Sequence, residues 1–467
     1  MPRPIIALLL ASSLLGGCAT APTYHRPDIA QPLAYKEAPD WTPAHPADDQ
    51  PRGTWWQVFG DSDLDAIETR VTAANQDLKA AAARVAEARA LARGAKADRA
   101  PQVGLAAGSS AAQLSRSVSN PLPDQRPNDQ SLGLAVSYEP DVWGRISNAA
   151  NAAGAKAEAS AGDLGAARLS LQADAAITYF ALRGDDARIT ELEAEAADDA
   201  DLVIMSTARL RAGHAPGADL AAAQTAHDRV VARLAETRLD RAQREHALAI
   251  LMGEAPSAFT LRSSTLGPGV PSVDPVLPGA LLERRPDIAA AERRVAAANA
   301  EVGVARAAFY PRFTLGGLIG AETAAPSPLF GANALTWAIG ASGVVNLFDG
   351  GRRRAATAEA RARFDEAAAL YRQSVLNAYG EVEDGLAAIR QLKEEDDRAI
   401  SALKAAHETR VEAEARQKAG YATGYESIAA RDAERATRLD HIDTLTRRKI
   451  AAAALVKALG GGWTGAE

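Results

Sequence analysis

The sequence predicts an α+β membrane protein with an internal duplication: four transmembrane β-strands and long coiled-coil helices per chain. Three observations predict it. First, the chain repeats itself. Asp77-Leu78, Val85, Pro101 and Leu105 return as Asp287-Ile288, Val295, Pro311 and Leu315, each pair 210 positions apart. Gly144-Arg145, Ala212-Gly213, and Leu248 with Gly253 return as Gly351-Arg352, Ala419-Gly420, and Leu455 with Gly460, now 207 apart. A repeat of this length makes each half one copy of a structural unit. Second, each half contains two stretches of about ten residues that alternate apolar with small or polar side chains, as barrel strands do. Third, proline is absent between Pro140 and Pro216, between Pro216 and Pro256, and after Pro328. Those stretches are rich in alanine, which favours helix.

The elements follow in chain order. Arg3 precedes an apolar run, Ile5 to Leu10, and a small-residue stretch to Gly17. Residues 1–17 therefore read as a secretory signal peptide, too short to span a membrane. Leu15-Gly16-Gly17-Cys18 resembles the lipobox of bacterial lipoproteins, which implies acylation of Cys18, the single cysteine. Ala19 follows, with no aspartate to suggest retention at the inner membrane, so the outer membrane is the expected destination. Residues 18–55 are then a lipidated, extended segment. A first repeat, 56–256, reads as helix, two strands and a helical hairpin. A linker, 257–279, leads to a second repeat, 280–467, with the same order.

In the first repeat Val103, Leu105 and Ala107 alternate with glycine and alanine, and Leu132, Leu134, Val136 and Tyr138 form the second strand. In the second, Phe313, Leu315, Gly317 and Ile319 precede Leu335, Trp337, Ile339, Ala341 and Val345. Loops 119–130 and 324–333 carry proline and polar residues, as external loops would. Tyr138, Trp143, Phe309, Tyr310 and Phe348 gather near strand ends, where an interfacial girdle belongs. Four strands cannot close a barrel, since about eight are needed even for a filled one, so the chain is expected to oligomerise. Two ordinary soluble hairpins would give the same local alternation.

From Gly144 to Gly213 a continuous helix would span roughly 100 Å, with Gly184 a candidate bend. The acidic run 191–201 reads as a solvated helix face. Gly213, His214 and Gly217, and their counterparts Gly420, Tyr421 and Gly424, mark tight turns between antiparallel helices, at the far ends of those helices from the strands.

Composition limits the function. Lys+Arg 52 against Asp+Glu 59 gives a net charge of −7, and aromatics are only 5%. No basic patch with interleaved aromatics speaks for nucleic acid. The histidines form no ligand-spaced pair, and no nucleophile elbow or phosphate loop occurs. Neither a metal, another cofactor nor an enzymatic activity is expected. Arg183-Gly184-Asp185 spells an adhesion tripeptide, read as coincidence inside a helix.

Several longer motifs carry a resemblance. They are Trp55-Trp56-Gln57-Val58-Phe59-Gly60-Asp61 with Leu64, Tyr138-Glu139-Pro140-Asp141-Val142-Trp143-Gly144-Arg145, and Leu282-Glu283-Arg284-Arg285-Pro286-Asp287-Ile288. Ala297-Ala298-Asn299-Ala300 through Gly303-Val304-Ala305-Arg306 to Pro311 and Phe348-Asp349-Gly350-Gly351-Arg352 join them, as do Tyr24 and Arg26-Pro27. Together they resemble the outer-membrane efflux (TolC-like) proteins, in the NodT-type lipoprotein branch, over essentially the whole chain. The resemblance implies a homotrimer whose strands form one twelve-stranded β-barrel above an α-helical barrel crossing the periplasm. It implies a passive exit duct for small toxic compounds, fed by a periplasmic membrane-fusion adaptor and an inner-membrane pump. The turns at Gly213 and Gly420 would meet the adaptor. Relatives carry an aspartate ring just after the second turn; here Ala429 and Ala430 stand there, leaving Glu426 or Asp432 as possible gate charges. Two other readings stand beside this one: a duct for type I protein secretion, and a lipid-anchored periplasmic coiled-coil scaffold.

Overall fold

The computed structural model describes residues 20–29, 32, 35–37, 53–111, 128–267, 269–271, 284–324, 329 and 331–461. The signal peptide, Cys18, residues 112–127, half of the loop 324–333, and residues 268 and 272–279 of the linker lie outside the described residues.

After a 3₁₀ turn, Trp55–Phe59, come α1 (Ser62–Ala74) and α2 (Gln76–Ala97), then β1 (Gln102–Ala111) and β2 (Asn128–Tyr138). The helical hairpin α3 (Arg145–Arg211) and α4 (Gly217–Leu251) closes the first half. The second half runs α5 (Pro286–Ala307), β3 (Arg312–Thr323), β4 (Leu335–Val344), α6 (Arg352–Lys418) and α7 (Gly424–Ala458). The halves match in length as well as order: α2 and α5 have 22 residues each, α3 and α6 have 67, α4 and α7 have 35. No helix among the described residues is long and apolar enough to cross a membrane.

The chain divides into two compact units, each drawing on both halves. One unit holds the described residues up to Asp28 with Arg84–Ala161 and Ala290–Arg372; the other holds Ile29–Ala83, Gly162–Ala289 and the chain from Gln373 onward.

The first unit contains the sheet, ordered β1-β2-β3-β4 and antiparallel throughout. β2 pairs with β3, so the two copies join at the middle of the sheet. Register decides its faces, because directly paired residues project to the same side. Leu105 pairs with Leu134, Leu134 with Ile319, and Ile319 with Trp337; Val103 pairs with Val136 and Gly317 with Ile339. These rows form one continuous apolar face. The opposite face carries Gly104, Ala106, Ala135, Ser137, Gly316, Gly340 and Ser342, small or polar with Leu318 and Val344 the exceptions. The apolar face is bare: Leu105, Trp337 and Ile339 are 72%, 68% and 81% exposed. The outer edges of β1 and β4 have no strand partner among the described residues.

The N-terminal residues lie as a strap in the same unit. Thr20 donates to the carbonyls of Trp143 and Gly303, Asn299 to the carbonyl of Pro22, Tyr24 to Glu292 (2.5 Å) and Arg26 to the Tyr371 hydroxyl. Trp143 stacks on Tyr310 at 4.7 Å and donates to the Pro311 carbonyl, fixing the root of the sheet.

In the second unit the 3₁₀ turn packs Phe59 against Phe180 of α3 (4.7 Å), and Trp55, Leu64, Val71, Leu248 and Met252 are all buried. Asp61 caps α1 by accepting from the Asp63 and Leu64 amides, and accepts from the Tyr179 hydroxyl. Arg183 is buried and spends its guanidinium on Asp63 (2.6 Å), Asp186 (3.0 Å), Tyr179 and the Arg262 carbonyl. Arg241 reaches Asp186 as well, at 2.7 Å. The Arg183-Gly184-Asp185 tripeptide is thus internal: Asp185 is also buried and pairs with Arg244. Gly184 does not bend α3, which is continuous; its missing Cβ would lie 2.5 Å from Thr446 Oγ1, so it lets α7 approach closely. Glu68 on α1 is fully buried, and neither carboxylate oxygen meets a hydrogen-bond partner among the described residues. Burial alone pushes its pKa up to about 9.

Candidate gate and docking surface at the helical hairpins

Both hairpin turns are built by the same backbone device. At the first, the His214 amide donates to the Arg209 carbonyl and the Gly213 amide to Leu210, with Gly213 at φ +72°. At the second, Tyr421 donates to Arg416 and Gly420 to Gln417, with Gly420 at φ +77°. This is the Schellman ending, which places a left-handed residue just past the helix and favours glycine there. A Cβ at either glycine would meet nothing within 4 Å, so the constraint is conformational rather than steric.

The turns then diverge. Gly217 opens α4 behind Pro216, whose position has no side-chain cap. Gly424 opens α7 behind Thr423, which forms a full capping box with Glu426. Glu426 therefore holds its own helix start, accepting from the Thr423 amide and hydroxyl. Tyr421 stands 81% exposed at the second turn, and His214 is exposed at the first.

Just inside the turns, α3 of the first hairpin is tied to α7 of the second. The Ser206 and Tyr425 hydroxyls meet at 2.6 Å, Arg209 lies over the Tyr425 ring, and Gly424 lies close to Met205. A charged ladder continues the seam. Asp198 accepts from Arg431 (2.6 Å) and Arg435 (2.7 Å), and Glu191 pairs with Arg438 (3.1 Å). Arg438 also reaches Glu434, which is buried and engaged by His407 and Arg410 of α6. On the other flank Arg238 of α4 pairs with Glu193. The acidic run 191–201 is therefore not simply a solvated face. It meets arginines more than two hundred positions away, which neither periodicity nor local charge pattern could show.

Asp432 lies in this seam, partly covered. Burial and then the neighbouring Asp199 carboxylate push its pKa up to about 6, against the pull of Arg435. Asp199 is buried and is likewise held above its ordinary range by burial. The structure thus brings Asp432 into a carboxylate cluster with Asp198, Asp199 and Glu195, and keeps Glu426 at the helix cap. Ala429 is exposed and Ala430 half-buried. No cluster of metal-ligating side chains occurs among the described residues.

With this geometry in hand, comparison decides the family. The model of the family described as outer membrane efflux protein matches residues 69–254 and 277–461, once in each half. The chain belongs to the outer membrane efflux protein family. The outer membrane protein OprJ of Pseudomonas aeruginosa is 32% identical over 474 residues, covering 98% of this chain and 96% of OprJ. The solvent efflux pump outer membrane protein SrpC of Pseudomonas putida is 32% identical over 395 residues, covering 82% of each. Among solved structures, the outer-membrane channel OprN superposes with a TM-score of 0.84 at 28% identity, covering 96% of this chain and 100% of that one.

Proposed function

We propose that the protein is the outer-membrane exit duct of a tripartite efflux system and has no catalytic role. It would conduct small toxic compounds passively, with energy supplied by an inner-membrane pump through a periplasmic adaptor. The observation that carries this reading is the sheet: a continuous exposed apolar face, mostly small and polar residues behind it, and two edges unpaired among the described residues. In water that face is costly, since each large apolar side chain is worth roughly 1.5–3 kcal/mol on transfer to an apolar phase. In a bilayer it is the lipid-facing band of a barrel, and the open edges close by pairing with other copies. Three chains give twelve strands.

The two turns offer the adaptor alternating hairpin tips, one with His214 and Pro216, the other with Tyr421 and Thr423. The α3–α7 ladder holds adjacent hairpins together, so opening must break it. Asp432 and its carboxylate neighbours are the gate charges in this reading, with Glu426 reserved for capping. Acylation at Cys18 fits the strap, because Thr20, two residues on, is bound at the root of the sheet beside the Trp143–Tyr310 stack. The direct test is export: a deletion strain complemented with this chain should regain resistance to a panel of toxic compounds. Complementation by a chain unable to form outer-membrane trimers would overturn the reading.

A further inference from the structure

The junction between β4 and α6 differs in kind from its duplicate. Both copies tie the start of the helix to a loop aspartate, Asp349 accepting from the Gly351 and Arg353 amides in the second, but they leave different side chains exposed. In the first copy Arg145 is paired with Glu139 at 2.9 Å, Asp141 accepts from the Ile146 and Ser147 amides, and Ile146 is buried. In the second copy Leu347 and Phe348 are each 90% exposed, the barest large apolar side chains in the described chain. Three arginines follow, Arg352-Arg353-Arg354, where the first copy has Arg145-Ile146-Ser147. Arg353 is occupied: it pairs with Asp349 at 2.5 Å and lies over the Phe309 ring at 5.3 Å. Arg352 and Arg354 are exposed, and their side chains have no ion pair or hydrogen bond among the described residues. Exposed apolar groups beside unpaired cations, at the end of an apolar strand face, match a bilayer boundary, where acyl chains give way to phosphates.

We propose that this junction is a phospholipid-binding surface, with Leu347 and Phe348 in the periplasmic leaflet and Arg352 and Arg354 on the phosphates of anionic headgroups. The proposal rests on the duct reading, which puts the sheet in the membrane. Successive helical residues turn by about 100°, so Arg352 and Arg354 point to opposite flanks of α6 and serve separate headgroups. The Arg353 clamp on Asp349 and Phe309 holds the first turn of α6 in place between them. Guanidinium suits the role because its planar donors match phosphate oxygens and it keeps its charge.

The test is native mass spectrometry of trimers extracted in mild detergent from membranes containing phosphatidylglycerol and phosphatidylethanolamine. An arginine near an anionic surface is worth roughly a fivefold change in affinity. Arg352→Gln with Arg354→Gln should therefore lower retained phosphatidylglycerol by about 25-fold, with phosphatidylethanolamine much less affected. Leu347→Ser with Phe348→Ser should release both lipids, and millimolar inorganic phosphate should displace neither. Trimer yield and conductance should stay at wild-type level in both double variants. Unchanged phosphatidylglycerol in the double arginine variant overturns the proposal. So does loss of trimers in the serine variant with lipid unchanged, which would mean that a second copy covers the patch. Failure of wild-type trimers to conduct would instead count against the duct reading.

Discussion

Replacing Glu68 by Gln should stabilise the protein at neutral pH, and the size of the effect follows from its burial. The folded state holds this carboxyl protonated up to about pH 9, whereas its ordinary value is 4.5. Above pH 4.5 the unfolded chain ionises and the folded chain does not, so stability falls as pH rises through the window from 4.5 to 9. Each pH unit across that window costs a little over 1 kcal/mol, so at pH 7 the penalty is on the order of 3 kcal/mol per chain. Glutamine keeps the shape without the titration. Denaturant unfolding in detergent, followed by fluorescence of the buried Trp55 and Trp56, should show Glu68→Gln ahead by about 3 kcal/mol at pH 7. The advantage should shrink to a few tenths of a kcal/mol near pH 4.5. A difference that does not change with pH, or a glutamine variant weaker at pH 7, would refute an uncompensated buried carboxyl.

Valine at Gly213 or Gly420 has room for its Cβ but is forced to φ above +70°, costing roughly 1–2 kcal/mol at the turn; export should be lost while trimers still assemble, as seen by resistance assays and unboiled gels. Asp198→Asn removes two ties to α7, at 2.6 and 2.7 Å, together worth on the order of 2 kcal/mol, so basal single-channel conductance should rise and large compounds normally excluded should leak in. Gly184→Ala places a methyl on Thr446 and should cost about 1–3 kcal/mol, with partial recovery in the double variant Gly184→Ala/Thr446→Ala. Cys18→Ser should abolish labelling by radioactive palmitate while barrels still insert.

The parts legible in the sequence are those set by local chemistry. Gly213, Gly253, Gly420 and Gly460 all have positive φ, a backbone requirement that preserves the residue type and makes the duplication visible. The strands show through period-two alternation, and the observed registers put the alternating residues on the expected faces, although β4 ends at Val344 rather than reaching Val345. What was not legible depends on distant partners. Asp198 looks like any helical aspartate until Arg431 and Arg435 are seen beside it, and Gly184 looks like a hinge until Thr446 is. Glu68 is one of many acidic residues in polar helical sequence, and only packing shows that it is enclosed. The phase of Asp432 likewise required the helix pair, since its neighbours Asp198 and Asp199 belong to the other half of the chain.

The most direct measurement of the central claim is ion conductance by the purified protein in planar bilayers. The duct account predicts trimers that resist dissociation until boiled and that insert to give discrete single-channel steps, with or without the acyl group on Cys18. A Cys18→Ala chain recovered as a soluble monomer without detergent, giving no conductance, would contradict it, because the apolar face of the sheet would then have no bilayer to occupy.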